Sequence, residues 1–257
     1  MERLLRIGGM MVATFLVSAC IDNVPIVIPE DCTGIEWHYE GHNGPDDWQN
    51  ICMGFAECGG RTQSPINITS SVVTSGASTL SMEYGQSVTD IVNNGHTIQF
   101  NYSSGSLLNW RGESWELLQF HMHTASEHTI DGESYPMELH LVHRNQSGEL
   151  AVVGLLFESG VSNVFFEPFM SSLPTAKGQE VKSSATYTVK DLLPASLGHY
   201  QYDGSLTTPP CSQGVNWIVI RNPISASAGQ LTQFRSIMHQ NNRPIQPLNG
   251  RNVKRFD

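Results

Sequence analysis

The residues Trp115–His123 read W-E-L-L-Q-F-H-M-H. In an extended chain successive side chains point to opposite faces, so Gln119, His121 and His123 share one face while Leu118, Phe120 and Met122 share the other. Two imidazoles two residues apart on a strand can hold one metal ion, although such a pair taken alone is more often structural. A second run, Glu138-Leu139-His140-Leu141-Val142-His143, alternates in the same way. Glu138, His140 and Val142 share a face, and His140 can add a third nitrogen if the two runs pair. Three neutral histidines leave the fourth tetrahedral position of a zinc ion open for water, the pattern of a catalytic site; a structural site is closed, commonly by thiolates. Metal-bound imidazoles usually give their second N–H to an acceptor, and Gln119 and Glu138 sit on the correct faces to take it. His128 and His143 read as structural histidines, His143 because it points away from the other three.

Strands are needed to present such a set, and the chain around it has their pattern. Short apolar runs alternate with Gly, Asn, Ser and Pro clusters from Glu36 onward, without linker, repeat or low-complexity tract. Strands are expected at Thr97–Tyr102, Trp115–His123, Met137–His143, Leu150–Phe157 and Val215–Arg221. A helix is expected after Ser227, where Ser227 and Gln230 have capping-box spacing and Leu231, Phe234 and Met238 form an apolar stripe. The 257 residues suit one β-rich domain.

The N-terminus differs. Arg3 and Arg6 precede an apolar stretch, Ile7–Val17, which is too short to span a bilayer, and Leu16-Val17-Ser18-Ala19-Cys20 follows. Residues 1–20 are expected to be an export signal ending in a lipobox, with Cys20 acylated; the plainer reading is a secretory signal cut near Ala19. Residues 21–35 are expected to be a tether and 36–257 the catalytic domain. Setting Cys20 aside leaves Cys32, Cys52, Cys58 and Cys211, an even number that fits two disulfides and an oxidising periplasmic or cell-envelope location. Four cysteines allow three pairings, and spacing does not choose among them. A net charge of −10 from 14 basic and 24 acidic residues argues against a nucleic-acid partner.

The segments Gln119–His128 and Met137–His143 closely resemble the α-carbonic anhydrases. Trp37–Trp48, Gln63–Ile68, Asn93–His96, Gly204–Cys211 and Gln246–Arg251 agree with that family in the same order. The resemblance runs from about Cys32 to the C-terminus, and the short His123–Ser126 connection is similar to the bacterial branch. It implies a mainly β (α+β) single domain on a large, mostly antiparallel twisted sheet with a few peripheral helices. It implies zinc on His121, His123 and His140, and reversible hydration of carbon dioxide to bicarbonate and a proton. Thr207 matches the residue whose hydroxyl orients the nucleophile, and Glu127 the carboxylate that accepts from that threonine. His96 matches the proton shuttle, with Tyr39, Asn94 and Gln99 lining the water path; Gln99 stands where animal members often have Asn. Val142, Val152, Leu206, Val215 and Trp217 match the apolar wall for carbon dioxide, with Thr207 and Thr208 beside it. Cys58 and Cys211 match the disulfide of exported members, which leaves Cys32 and Cys52 for a second. Ser64-Pro65 and Pro209-Pro210 match bonds that are cis in the family. Sulfonamides and small anions are expected at the zinc, and a membrane is expected only through an acylated Cys20.

Two other functions compete. A non-catalytic binding module on the same fold would lack one or more metal histidines, and all three are present. An esterase would need a larger pocket than the apolar wall suggests.

Overall fold

The double-histidine run forms an 11-residue strand, Glu113–His123, and the second run forms Met137–Arg144 beside it. Both are buried on their two faces over much of their length, which accounts for the near-continuous apolar character between their polar residues. The computed structural model that shows this describes residues 31–72, 74–88, 90–183 and 186–257. The expected export signal, Cys20 and residues 21–30 of the expected tether lie outside the described residues.

Thirteen strands among the described residues form one twisted sheet. Its main path runs Glu180–Lys182, Asp90–Asn93, Ile98–Asn101, Glu113–His123, Met137–Arg144, Leu150–Ser159, Gln213–Ile220, His199–Ser205, Lys254–Phe256 and Thr74–Gly76. Neighbours on this path are antiparallel except at two places. Leu150–Ser159 runs parallel to Gln213–Ile220, and Lys254–Phe256 parallel to Thr74–Gly76. The five expected strands are all present, with no end moved by more than two residues.

One face of the sheet carries the larger core, which includes Phe100, Phe120, Met122, Leu139 and Leu141. The helix Ala228–Met238 packs there through Leu231, Phe234 and Met238. Its Ser227 and Gln230 make both hydrogen bonds of a capping box, which satisfies donors that the first helical turn would leave unpaired. The opposite face carries a smaller apolar cluster around Val142, Val152, Val215 and Trp217. A third cluster, near the chain's first described residues, joins Trp48 and Phe55 to the four paired cysteines. Its bridges are Cys32–Cys52 and Cys58–Cys211. Residues 32–35 of the expected tether are therefore already bound to the domain. Ser64-Pro65 and Pro209-Pro210 are cis, as is the non-proline bond Thr124-Ala125.

Candidate active site

Strand register places the three histidines. His140 lies directly opposite His121, and Glu138 opposite His123. The row continues across the sheet as Gln99, His121, His140 and Gly154. Gly154 has a local reason to be glycine, because a Cβ there would come within 2.9 Å of Glu138 Oε1. The adjacent row is Gln119, Val142, Val152 and Trp217, so the apolar wall begins one pleat from the imidazoles.

Each imidazole has one nitrogen engaged. His121 Nδ1 donates to Gln119 Oε1 at 2.9 Å, His123 Nδ1 to the Asn241 carbonyl at 2.7 Å, and His140 Nε2 to Glu138 Oε1 at 3.0 Å. These partners only accept, so they fix the tautomers and leave a lone pair on His121 Nε2, His123 Nε2 and His140 Nδ1. One ligand nitrogen from each of the three lies within 4.8 Å of the others. His123 Nε2 is buried and has no hydrogen-bond partner, which a buried polar atom ordinarily finds. Burial drives all three pKa values down, His123 to about 4, so the rings are neutral at pH 7 and able to ligate. The residues fit a zinc ion with three histidine ligands and one open position.

Glu138 is fully buried and uses all its acceptor capacity. Oε2 takes the backbone N–H groups of Glu127 and His128 at 2.9 and 2.8 Å, and Oε1 takes His128 Nδ1 at 2.7 Å as well as His140. Burial pushes its pKa up, but His128 and His140 outweigh burial and hold it well below the usual carboxylate range. His128 is fully buried, as expected of a structural histidine, and both of its ring nitrogens are engaged. Its Nε2 lies 2.6 Å from the Tyr202 hydroxyl, which in turn lies 2.8 Å from Ser64 Oγ.

Glu127 is buried beside this group. Its Oε1 accepts from the Arg243 backbone N–H at 2.8 Å, and its Oε2 is left without a partner. Burial raises its pKa to about 7, against the pull of His140, the Arg243 N–H and the Thr207 side chain. Thr207 is buried near the start of the loop that joins His199–Ser205 to Gln213–Ile220. Val142, Val152, Val215 and Trp217 form one cluster with Leu206 packed against it. Trp217 is anchored by its Nε1–H, which donates to the Ser205 carbonyl at 2.9 Å.

A cavity of about 140 Å³ opens over the histidines. Tyr39, Asn94, His96, Gln99, Gln119 and Thr208 line it together with His121 and His123. Tyr39 Oη is buried without a partner, and burial raises that phenol's pKa well above its ordinary value. Asn94 Oδ1 accepts from the N–H groups of His96 and Thr97, which fixes the turn carrying His96. Gln99 Nε2 is turned to Asn101 Oδ1 at 2.7 Å. The His96 ring lies flat on Trp37, with centroids 3.7 Å apart and an interplanar angle of 6°.

Several residues at this site had no sequence signal. Asn241 gives His123 its carbonyl, while its amide donates to the backbone carbonyls of His96 and Met122 at 3.0 Å each. Arg243 supplies the N–H that holds Glu127, and its buried guanidinium ties Gln63, Ser64 and Cys58 together. Trp37 belonged to a matched motif but carried no assigned role.

A family model described as eukaryotic-type carbonic anhydrase matches residues 43–256. A carbonic anhydrase of Pectobacterium carotovorum is 42% identical over 219 residues, covering 84% of this chain and 89% of that protein. One from Nostoc sp. is 38% identical over 258 residues, covering 98% and 96% respectively. The α-carbonic anhydrase of Thermovibrio ammonificans, solved with the inhibitor sulfanilamide, superposes with a TM-score of 0.83 at 40% identity. That match covers 85% of this chain and 98% of that one.

Proposed function

The chain belongs to the eukaryotic-type, or α-class, carbonic anhydrase family, and from that premise we propose how its own residues divide the work of hydrating carbon dioxide. The reaction is the zinc-dependent, reversible conversion of carbon dioxide to bicarbonate and a proton. The observation that carries the assignment is the set of three buried or half-buried imidazoles, each with one nitrogen tied to an acceptor and the other free toward a common point.

His121, His123 and His140 would hold the zinc. Zinc supplies Lewis acidity that makes water a nucleophile at neutral pH. The Thr207 hydroxyl is assigned to donate a hydrogen bond to Glu127 Oε2, the carboxylate oxygen left without a partner, so that only its oxygen lone pairs face the nucleophile. Thr207 then accepts a hydrogen bond and turns the attacking lone pair toward the substrate carbon, an orientation effect. Val142, Val152, Leu206, Val215 and Trp217 offer carbon dioxide a wall without polar groups, which suits a linear molecule with no dipole. The Thr207 N–H and Thr208 receive the oxygens of the product. His96 takes the released proton through water held near Tyr39, Asn94 and Gln99 and passes it to buffer. Aromatic sulfonamides and small anions compete at the same site.

Stopped-flow hydration with a pH indicator tests this reading on protein lacking residues 1–20. Fast hydration that disappears on zinc chelation and in a His121→Ala variant is the expected result. Folded, zinc-loaded protein without hydration would overturn it.

The two disulfides support a site of action outside the cytoplasm. We propose further that residues 1–20 direct export and that Cys20 carries a lipid in the cell envelope. Cys20→Ser should then move the enzyme from the membrane fraction to the soluble one; an unchanged distribution would remove the anchor.

A further inference from the structure

His96 is held in two different ways. Its backbone is fixed from within the domain, by Asn94 at the N–H and by Asn241 at the carbonyl. Its ring is not: among the described residues neither ring nitrogen makes a hydrogen bond, and the aromatic contact of that ring is the face of Trp37. The orientation of the group that moves the proton therefore depends on where Trp37 stands.

Trp37 stands on a segment that has no regular structure of its own. Residues 31–40 include neither helix nor strand. Trp37 meets Tyr39 and Trp48 edge-on at centroid distances of 5.4 and 5.2 Å, within the small cluster that lies apart from both faces of the sheet. Polar ties also reach this segment. Trp48 Nε1 donates to the His38 carbonyl, the His38 N–H to the Asn43 carbonyl, and Asn43 Nδ2 to the Glu36 carbonyl. Glu36 also pairs with Lys177 at 3.2 Å, where both side chains are largely in solvent and the pair is correspondingly weak. One covalent tie remains. Cys32 is bridged to Cys52, the residue that ends the short helix beginning at the buried Trp48. Cys32 and Trp48 thus bracket Trp37, one by a bond and the other by packing.

We propose that Cys32 and Cys52 are positioning residues for proton export, their bridge holding the 32–39 segment so that Trp37 presents a fixed platform to the His96 ring. The inference rests on His96 being the proton carrier. A protonated imidazole over the indole face also gains a cation–π attraction, which keeps the charged ring at the mouth of the cleft. Without the bridge the platform moves, the ring samples other orientations, and the proton leaves more slowly. Export follows the hydration step, so in dilute buffer the effect falls on kcat and spares kcat/KM.

The experiment compares Cys32→Ser/Cys52→Ser, His96→Ala and the unaltered enzyme in carbon dioxide hydration, in dilute buffer and with added imidazole. The His96 ring protons are read by NMR alongside. The bridge variant should lose roughly threefold or more in kcat in dilute buffer, less than the loss of the general base itself. Its kcat/KM should be unchanged, imidazole should restore kcat, and the ring-current shift from Trp37 should collapse toward that of an exposed histidine. A His96→Ala variant that turns over normally in dilute buffer would overturn the shuttle reading and the inference with it. If His96→Ala is slow but the bridge variant keeps both its kcat and its shifted ring protons, the inference fails and the shuttle stands. An equal fall in kcat and kcat/KM would mean the bridge merely supports the fold, and would also overturn it. Should the double variant not fold, mild reduction of the unaltered protein gives the same reading. Cys32 is only partly buried, whereas Cys58 and Cys211 are buried, so selective opening can be verified by alkylation and mass spectrometry.

Discussion

Replacing Glu138 by glutamine removes a charge without changing the outline of the side chain, and the structure fixes what that costs. The carboxylate accepts four hydrogen bonds, two from backbone N–H groups and two from imidazoles. An amide oxygen can keep the backbone pair. The amide NH2 then faces His128 Nδ1–H and His140 Nε2–H, donor against donor. His128 has an escape, because it can move its proton to Nε2 and donate to the Tyr202 hydroxyl. His140 has none: moving its proton to Nδ1 consumes the lone pair meant for the metal. Hydrogen bonds to a charged group contribute roughly 1.5–3 kcal/mol each, and relief of the buried charge offsets part of the loss of two, so Glu138→Gln should cost about 3 kcal/mol of folding stability. Zinc affinity should fall by about 10- to 100-fold, the usual consequence of losing a partner behind a metal ligand. Equilibrium urea unfolding of the zinc-stripped protein measures the first quantity, and competition with a chromophoric chelator the second. Unfolding free energy unchanged to within about 1 kcal/mol, with undiminished zinc affinity, would refute the reasoning.

Two further outcomes follow from buried groups and from loop length. His143 is fully buried against Tyr84, and burial pushes its pKa down from 6.5 to about 4. The unfolded chain therefore takes up a proton first as pH falls; the contribution is intact above pH 6.5 and is lost on the way down to about pH 4, reaching roughly 2 kcal/mol at pH 5. Urea unfolding at pH 7.5 and 5 should show that much less pH dependence in His143→Gln, and identical slopes would rule the assignment out. The Cys58–Cys211 bridge spans 153 residues and Cys32–Cys52 spans 20, so chain entropy predicts losses of about 5 and about 3 kcal/mol on removing them. Serine pairs at each bridge compared by denaturant midpoint check the order, which fails if the shorter loop matters more.

What the sequence made legible was local and periodic. The alternation in Glu113–His123 and Met137–Arg144 put His121, His123 and His140 on one face, and their pairing needed only the two strands to be neighbours. The capping box at Ser227 was equally local. Glu127, Thr207 and His96 have no such pattern, and only their match to a known family's motifs singled them out. Asn241 and Arg243 reach His123 and Glu127 from more than a hundred residues away in sequence. No periodicity connects them, because the contact is made by backbone groups after the helix Ala228–Met238 ends. His128 reads as a structural histidine from its position, but position alone gives no sign that the carboxylate it meets also serves His140.

Asn241 touches the site at two points, a carbonyl on the His123 ring and an amide on the His96 backbone. Two parts referenced to one datum share its errors. A shift of Asn241 would act on the His123 ring and on the turn bearing His96 together, since both are bonded to it. A chain of waters between them tolerates little variation in span, since each hydrogen bond weakens steeply outside a narrow range of length and angle. One residue thus sets the reference for both ends of that span.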